Sequence, residues 1–579
     1  MDNLFWRNQN GTKFVQGGFV FVAVCLGLLQ TAVNRHYINP DGVSYLDMSD
    51  AYWRGDWEMA LNSYWSPLYA ILAGIPLNLF QVPAYWEATV VHLVNFVIFI
   101  IALLAFHRFW RLLAKWHYQE LSVDDANGLP EWAWWGIGYG LFIWGAIYMV
   151  TLQQVTPDLL VFVSILLAMG SILKIQLGEA NTLAFVSLGL ILGLGFLSKA
   201  AMLPISLVFI FVAFFSVGLN RSAIKNISLL GITFILIGAL FVVPLSQTKG
   251  EFTWGDSGTL NYIWFVNGVT RHIHWQESGP SPNGEPVHTT RQILERPAIF
   301  EYKAPISGTF PPWYNPPYWF EGSHSTFSIY QQLAIITSNL ILYFKWFIQQ
   351  HLGLITAILV LFLISGKRWE IVSSLSKSWF LFLPVIAALA MYALVYVEER
   401  YIGAQLLLLW GGILSAIRLP KDNQVMKTVS AVSVITVAVL ILNTAALTSD
   451  ILLNAQYSLL NWQNESEHQA WQVADELQTQ FNIDDEDSLA FIGYTFDAYW
   501  ARLAGVRIIA DMPLRIDLPN LNDDIEYFWT ASDEVRLQAF DTFQSTGASL
   551  VVTDMIPAGA NLEEWQQLGN TNYYVYILE

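Results

Sequence analysis

Cysteine is nearly absent from this sequence: Cys25 is the only one in 579 residues. A disulfide framework and a cysteine-based metal site are both excluded. Cys25 lies inside the first apolar run and reads as a small buried hydrophobe. Charge is scarce as well. Asp, Glu, Lys and Arg make up 13% of the chain, against 54% hydrophobic and 15% aromatic residues, and the mean hydropathy is +0.42. A soluble domain carries about 25% charged residues. The composition therefore excludes an ordinary soluble protein and indicates a polytopic membrane protein. Bases are scarcest at the C-terminus. Residues 450–579 hold 22 acidic and 4 basic residues, a difference equal to the whole net charge of −18, and the remainder carries 24 of each. The tail is a solvated segment of a different kind, and its sign argues against nucleic acid or anionic lipid as its partner. A glycine-rich phosphate loop at a strand end is missing too. The one glycine cluster of that look, "GLILGLG" (189–195), lies in an apolar helix, where small residues serve helix packing.

What the chain does have is long apolar runs. A span of a roughly 30 Å hydrocarbon core needs about 20 residues. Runs near 14–33, 84–107, 132–150, 158–174, 182–198, 201–219, 227–247, 349–365, 378–397, 401–417 and 428–447 predict eleven transmembrane helices. The stretch 65–80 is shorter and broken by Pro67 and Pro76, so it reads as re-entrant or interfacial. The first run follows Arg7 and Lys13 without a convincing cleavage site and reads as a retained anchor. Basic residues collect in compact connectors, among them Arg108, Arg111, Lys174, Lys225, Lys367 and Arg418, and this side is expected to be cytoplasmic. Three larger pieces then fall on the outer side: loops 34–83 and 248–348, and the tail. The expected organisation is a membrane module, 1–447, followed by an acidic α/β domain, 448–579. In the tail, strand patterns at 488–493, 506–511, 549–554 and 573–578 alternate with helical patterns at 497–505 and 533–547, which suggests a mostly parallel sheet.

The outer loop after the first run reads "NPDGVSYLDMSDAYWRGDW" (39–57). If 42–54 is helical, Tyr45, Met48 and Tyr52 share one face and Asp47, Asp50 and Arg54 another. That is the pattern of an interfacial amphipathic helix, aromatics in lipid and charges in water. Asp47, Asp50 and Asp56 read as its polar face, with Asp50 and Arg54 as an i, i+4 pair. Asp41 precedes this helix at the mouth of the first span. It can cap the helix or accept a proton from an incoming hydroxyl, and spacing leaves both open. In "TPDLL" (156–160), Thr156 as N-cap, Pro157 and Asp158 make a strong helix start, yet Asp158 is also placed at the outer side. "LSKAAMLP" (197–204) puts Lys199 and "VEERYIGAQ" (397–405) puts Arg400 at the same depth. Ionisable residues at membrane level are costly and mark candidate sites. Against that, Lys199 can snorkel to the interface, and Arg400 has local partners in Glu398 and Glu399.

These residues, in this order and with this common sidedness, resemble the GT-C superfamily of polytopic glycosyltransferases. The likeness is to the protein-mannosyltransferase and aminoarabinose-transferase branch in its bacterial members, over roughly 14–420. The resemblance implies an enzyme of the bacterial plasma membrane that moves a sugar, hexosyl or pentosyl, from a polyprenyl phosphate to an acceptor lipid, glycan or protein with inversion. It implies Asp41 as general base and Lys199 and Arg400 as cations for the leaving phosphate. Asp158 then orients the acceptor, holds a divalent cation with Asp41, or starts its helix. The branch usually carries two adjacent acids in the first outer loop. Here Gly42 follows Asp41, so a second acid for a metal site comes from elsewhere in the chain or is absent, while the base remains. The loop segments "NYIWFVNGVTRHIHW" (261–275) and "GTFPPWYNPPYWFEG" (308–322) are dense in aromatics that can pack on sugar rings or form an interfacial belt. Arg271 is a weaker candidate for the donor phosphate, and His272, His274, His288 and His324 have no metal-like spacing. A transporter of a lipid-linked saccharide is the alternative. It predicts charges in mid-span and two repeated halves, whereas the charges here cluster at outer ends and no repeat is visible. A receptor whose acidic tail binds a partner leaves the membrane-level charges unexplained.

Overall fold

A computed structural model of the chain describes residues 9–218, 220–271, 282–285, 287–288, 291–302, 307–449, 453, 468–483, 487–514 and 523–578. Among the described residues, seven helices are long and apolar enough to cross a membrane: Gly11–Val33, Ala84–Val123, Glu131–Val150, Asp158–Gln176, Arg221–Lys249, Ile329–Ile364 and Asn423–Ala446. Arg368–Lys377 and Trp379–Ala393, bent by 68° at their junction, make an eighth if they are one broken span. The protein is thus a multi-pass membrane protein, and the other three apolar runs expected to span form shorter helices. Thr182–Ser198, Met202–Val217 and Glu399–Ser415 have 17, 16 and 17 residues. At 1.5 Å per residue they are about 25 Å long, at the short end of what a membrane helix needs. The run at 349–365 is the second half of a helix that begins at Ile329.

Close packing explains the glycine cluster. A Cβ on Gly189 would lie 2.4 Å from the Leu230 carbonyl oxygen, and one on Gly193 would lie 2.6 Å from Ile237 Cβ. The Thr182–Ser198 and Arg221–Lys249 helices therefore approach as backbones. The Glu87–Val123 helix has 37 residues, about 55 Å of length, and it separates two charged ends. At one end the buried guanidinium of Arg418 binds Asp124 at 2.7 Å and Ser374 Oγ at 2.8 Å, and Lys377 binds Glu120 and Asp124. At the other end Glu87 meets Arg502 from the tail at 2.7 Å.

Outside the bundle lies a seven-stranded sheet: β1 (Arg291–Leu294), β2 (Ile299–Glu301), β3 (Ser488–Gly493), β4 (Arg507–Pro513), β5 (Leu550–Thr553), β6 (Gln566–Gln567) and β7 (Tyr574–Ile577). Its order is β1-β2-β4-β3-β5-β7-β6. Only β3–β4 and β3–β5 pair in parallel, and the other four pairings are antiparallel. Among the four strands expected in the tail, two of three pairings are parallel, as expected, and the strands that the sequence did not signal add antiparallel edges. Helical crossovers, Tyr499–Ala504 before β4 and Asp523–Thr530 with Asp533–Ser545 before β5, make the centre parallel, while short returns make the edges antiparallel. β1 and β2 come from the outer loop, which the sequence pattern does not signal. Strand alternation divides the sheet's faces. Leu489, Phe491, Ile508 and Val552 join the same apolar cluster as the helix bundle, whereas Ala490, Ile492, Ile509 and Val551 pack under the outer helices.

A second contact joins the tail to the first outer loop. His36 and His468 face each other with ring centroids 4.2 Å apart, and Tyr85 lies 5.9 and 5.3 Å from them. Burial, then the neighbouring His468, Arg35 and His92, lowers the His36 pKa from 6.5 to about 3. Burial, with Arg35 adding to it against an opposing backbone hydrogen bond at Tyr85, lowers His468 to about 4. Both rings favour the neutral form when folded, so the unfolded chain binds more protons below pH 6.5. Stability contributed here is full above that pH and is lost as pH falls towards 4 and then 3. The thermal unfolding midpoint should fall over that window, and the fall should shrink in H36Q/H468Q, as read by melting curves across pH.

Candidate active site

The acidic helix, Pro40–Arg54, starts one residue before Asp41, so Asp41 sits in its first turn rather than ahead of it. Asn39 occupies the cap position, but its side chain does not cap the helix. It accepts a hydrogen bond from the backbone N–H of Val155 at 2.7 Å. Gly42 explains the missing second acid. A Cβ there would lie 2.8 Å from both Ile38 Cγ2 and Val155 Cβ, so no side chain fits.

Asp158 opens its span as the first residue of the Asp158–Gln176 helix, with Pro157 at the cap position. Thr156 does not cap that helix. Its hydroxyl donates to Asp158 Oδ2 at 2.9 Å. The irregular segment before it follows a π-helical stretch, Trp144–Val150, and begins at Thr151 with φ of 62°. Buried non-helical backbone at membrane depth needs partners, and side chains supply them. Gln30 donates to the Ile147 carbonyl at 3.1 Å and accepts from Leu152 N–H at 2.8 Å, and Asn95 donates to the Gln154 carbonyl at 3.2 Å.

Lys199 follows the Thr182–Ser198 helix and Arg400 lies in the first turn of Glu399–Ser415. Both turn inward. Lys199 Nζ binds Asp158 Oδ1 at 2.6 Å and stands 3.7 Å above the Tyr401 ring. Arg400 reaches Asp41 Oδ2 at 3.3 Å, Asp158 Oδ2 at 3.5 Å and Glu398 Oε2 at 2.5 Å. Glu398 in turn accepts from Tyr396 Oη at 2.8 Å. Asp158 is 3% exposed, whereas the Asp41, Lys199 and Arg400 side chains keep 21%, 23% and 18%. These four residues and Arg271 line one cavity of about 510 Å³, within the range of small-molecule sites. Arg271 stands 5.5 Å from the Phe265 ring, which stacks on Tyr396 at 3.8 Å. Every charged residue singled out as a site candidate therefore converges on one hollow. Of the loop histidines, His288 pairs with Glu321 at 2.7 Å and His324 lies near Gly284, while His272 and His274 lie outside the described residues.

Several cavity residues carry no sequence signal of their own. Tyr45 is 4% exposed and lines the cavity one turn after Asp41, and Met48 is fully buried. The expectation that they face lipid is corrected. Asp47, expected on a solvated face, is buried against Arg502 and Thr309. Asp50 pairs with Arg502 at 2.8 Å rather than with Arg54. Asp56 accepts from Met59 N–H and caps the next short helix. The far wall is formed by Trp254, Ser257, Thr259 and Asn261. It is held by Asp256, whose N–H donates to the Ser63 carbonyl at 2.7 Å and whose carboxylate accepts from Ser63 Oγ at 2.6 Å.

A divalent ion does not suit this donor set. Among the described residues no three His, Cys, Asp or Glu side chains come together as metal ligands. Arg400 pairs with both Asp41 and Asp158, so the two carboxylates are already answered by a cation.

No family model and no curated relative matches the chain. Solved structures with a similar arrangement include the aminoarabinose transferase ArnT from Cupriavidus metallidurans in the apo state. It shares 14% identity and a TM-score of 0.48 over 96% of this chain and 97% of that one. The same protein bound to undecaprenyl phosphate matches at 14% identity and a TM-score of 0.47, over 96% of each chain. The archaeal oligosaccharyltransferase AglB from Archaeoglobus fulgidus, in complex with an inhibitory peptide and a dolichol-phosphate, matches at 13% identity and a TM-score of 0.45. That match covers 94% of this chain and 69% of that one. Both proteins are GT-C superfamily members. At these identities and scores the likeness stands as similarity alone, and the reading of the site rests on its own geometry.

Asp158 is buried and held by Lys199 and Arg400 together. Removing one partner of a buried pair leaves an uncompensated charge, at a cost of about 3–5 kcal/mol. Lys199→Met should lower stability towards that amount, and adding Asp158→Asn should return part of the loss. A double-mutant cycle by chemical unfolding measures the coupling.

Proposed function

We propose that the protein is a glycosyltransferase that moves a sugar from a polyprenyl-phosphate donor to an acceptor on the extracytoplasmic side of the membrane. The observation that carries this reading is the convergence of Asp41, Asp158, Lys199 and Arg400 on one cavity at the ends of membrane helices. Lys199 and Arg400 offer one ammonium and one guanidinium to the leaving lipid phosphate. Arg suits an oxygen pair and Lys a single oxygen. A phosphate that leaves as an anion needs cationic stabilisation and no general acid. Asp41 takes the proton of the acceptor as its bond to the anomeric carbon forms. Asp158, with both oxygens already engaged, holds the two cations in place.

The cavity's composition supports a lipid-borne sugar. Ala200, Ala201, Leu203 and Pro204 form one apolar flank and Met391 and Val395 another. Near them the outward residues Leu207, Phe211 and Leu394 are 55%, 50% and 46% exposed, as suits a route from the bilayer. Trp254, Trp313 and the hydroxyls of Ser257 and Thr259 also line the cavity, the mixture of aromatic face and polar group that a sugar ring uses. The sidedness is supported by the basic cluster of Lys377 and Arg418, which lies at the far end of the 37-residue Glu87–Val123 helix.

Purified protein supplied with a polyprenyl-phosphate sugar and candidate acceptors should transfer the sugar. Asp41→Asn should abolish transfer while leaving folding and donor binding intact. Wild-type turnover in that variant would return Asp41 to a helix-start role. Lys199→Ala should weaken donor binding about tenfold or more, roughly the 1.5–3 kcal/mol of a hydrogen bond to a charged group. Equal donor affinity in titrations of the two proteins would remove Lys199 from the donor site.

A further inference from the structure

The Arg502 side chain leaves its own region entirely. It projects from the Tyr499–Ala504 helix of the tail into three carboxylates of the membrane module. Nη1 binds Asp47 Oδ1 at 2.7 Å, Nη2 binds Asp50 Oδ2 at 2.8 Å and Glu87 Oε2 at 2.7 Å, and Nε donates to Glu87 Oε1 at 3.1 Å. Arg502 and Asp47 are each 7% exposed and Glu87 is 14% exposed. Asp47 also accepts from Thr309, through its N–H at 2.7 Å and its hydroxyl at 2.9 Å. Thr309 accepts in turn from Ile508 N–H of β4 at 3.0 Å. The acidic helix, the outer loop and the tail thus meet at one buried node.

That node lies on the helix that carries Asp41. Asp47 follows Asp41 by six positions, about 9 Å along the axis. The helix has 15 residues with Gly42 inside it, a length at which an isolated helix is marginal. At its N-terminal end it is tied to the Asp158 segment through Asn39 and Val155. At its C-terminal half the tie is Arg502. An ion cluster that only stabilised could be replaced by well-packed apolar residues at no loss. What the fork adds is direction, because one planar guanidinium fixes two carboxylates of the acidic helix against a third on the long Glu87–Val123 helix.

We propose that Arg502 is a positioning residue for Asp41: the tail grips the acidic helix from outside the membrane and sets the place at which the Asp41 carboxylate meets the cavity. Asp41's role in transfer rests on the function proposed above, whereas the grip on the helix does not. Arg502 touches neither the cavity nor a reacting atom, and its effect passes through the helix.

The test uses the full-length protein in lipid nanodiscs. R502K keeps the buried charge and loses the fork. Amides of the Pro40–Arg54 helix should exchange with solvent at least tenfold faster in R502K. Turnover should fall about 10- to 100-fold, because a 1 Å misplacement can cost about 10²-fold. Donor affinity and acceptor KM should stay within about twofold, since the cavity cations are untouched. The neutral variant D47N/E87Q/R502Q, which buries no uncompensated charge, should loosen the same helix. Unchanged exchange over the acidic helix in R502K overturns the proposal, and so does wild-type turnover per folded molecule. A fall in activity that tracks donor affinity also overturns it. If wild-type protein transfers nothing while R502K still loosens the helix, the transferase reading fails and the grip stands.

Discussion

A charge removed from water among membrane helices has to be answered by another charge or by a hydrogen bond, and one end of this bundle is organised around that requirement. Asp158 is almost wholly buried and has a partner on each oxygen. Lys199 and Arg400 arrive from helices more than 40 and 240 positions away in sequence to supply them. The same requirement shapes the backbone beneath. The non-helical turn before Asp158 is tolerated because Gln30, Asn39 and Asn95 take up its free N–H and carbonyl groups. The cavity exists because these groups satisfy one another around a gap rather than closing it. Two cations, an exposed carboxylate and an apolar flank are left facing the same space.

The tail is built into this arrangement rather than appended to it. One face of its sheet shares an apolar cluster with the bundle, and two of its strands come from the loop between membrane helices. Phe496, just after β3, packs 5.1 Å from Trp313, which lines the cavity. His468 meets His36 beside the first span. Contacts of this kind fix the tail against the elements that line the cavity. One of the few bases of this acidic segment, Arg502, is placed where three carboxylates of the helical part meet.

Much of the membrane module was legible in the chain. Apolar runs located nearly every helix, and the isolated charges at their ends pointed to Asp41, Asp158, Lys199 and Arg400. The signal was the cost of a charge at that depth, which restricts where such residues occur. Local pattern was misleading where a surface was assumed. The alternation of Asp47 and Asp50 with Tyr45 and Met48 looks like a helix lying between lipid and water. Pattern reports amphipathicity and not what covers each face, and here the polar face is covered by Arg502 and Thr309 and the aromatic face by the cavity wall.

By itself, the sequence determined that the chain crosses a membrane repeatedly, that a polar segment with strands follows, and which few charges sit at membrane level. Composition and run length carry that information because transfer into hydrocarbon is additive along the chain. Only the tertiary structure decided that those charges share one hollow, that Gly42 leaves no room for a second acid, and that the loop strands complete the sheet. It also decided that Arg502 reaches back some 455 residues to Asp47. Each of these depends on which distant groups meet in a low-dielectric interior, where pairing energies are large and sequence separation has no bearing on them.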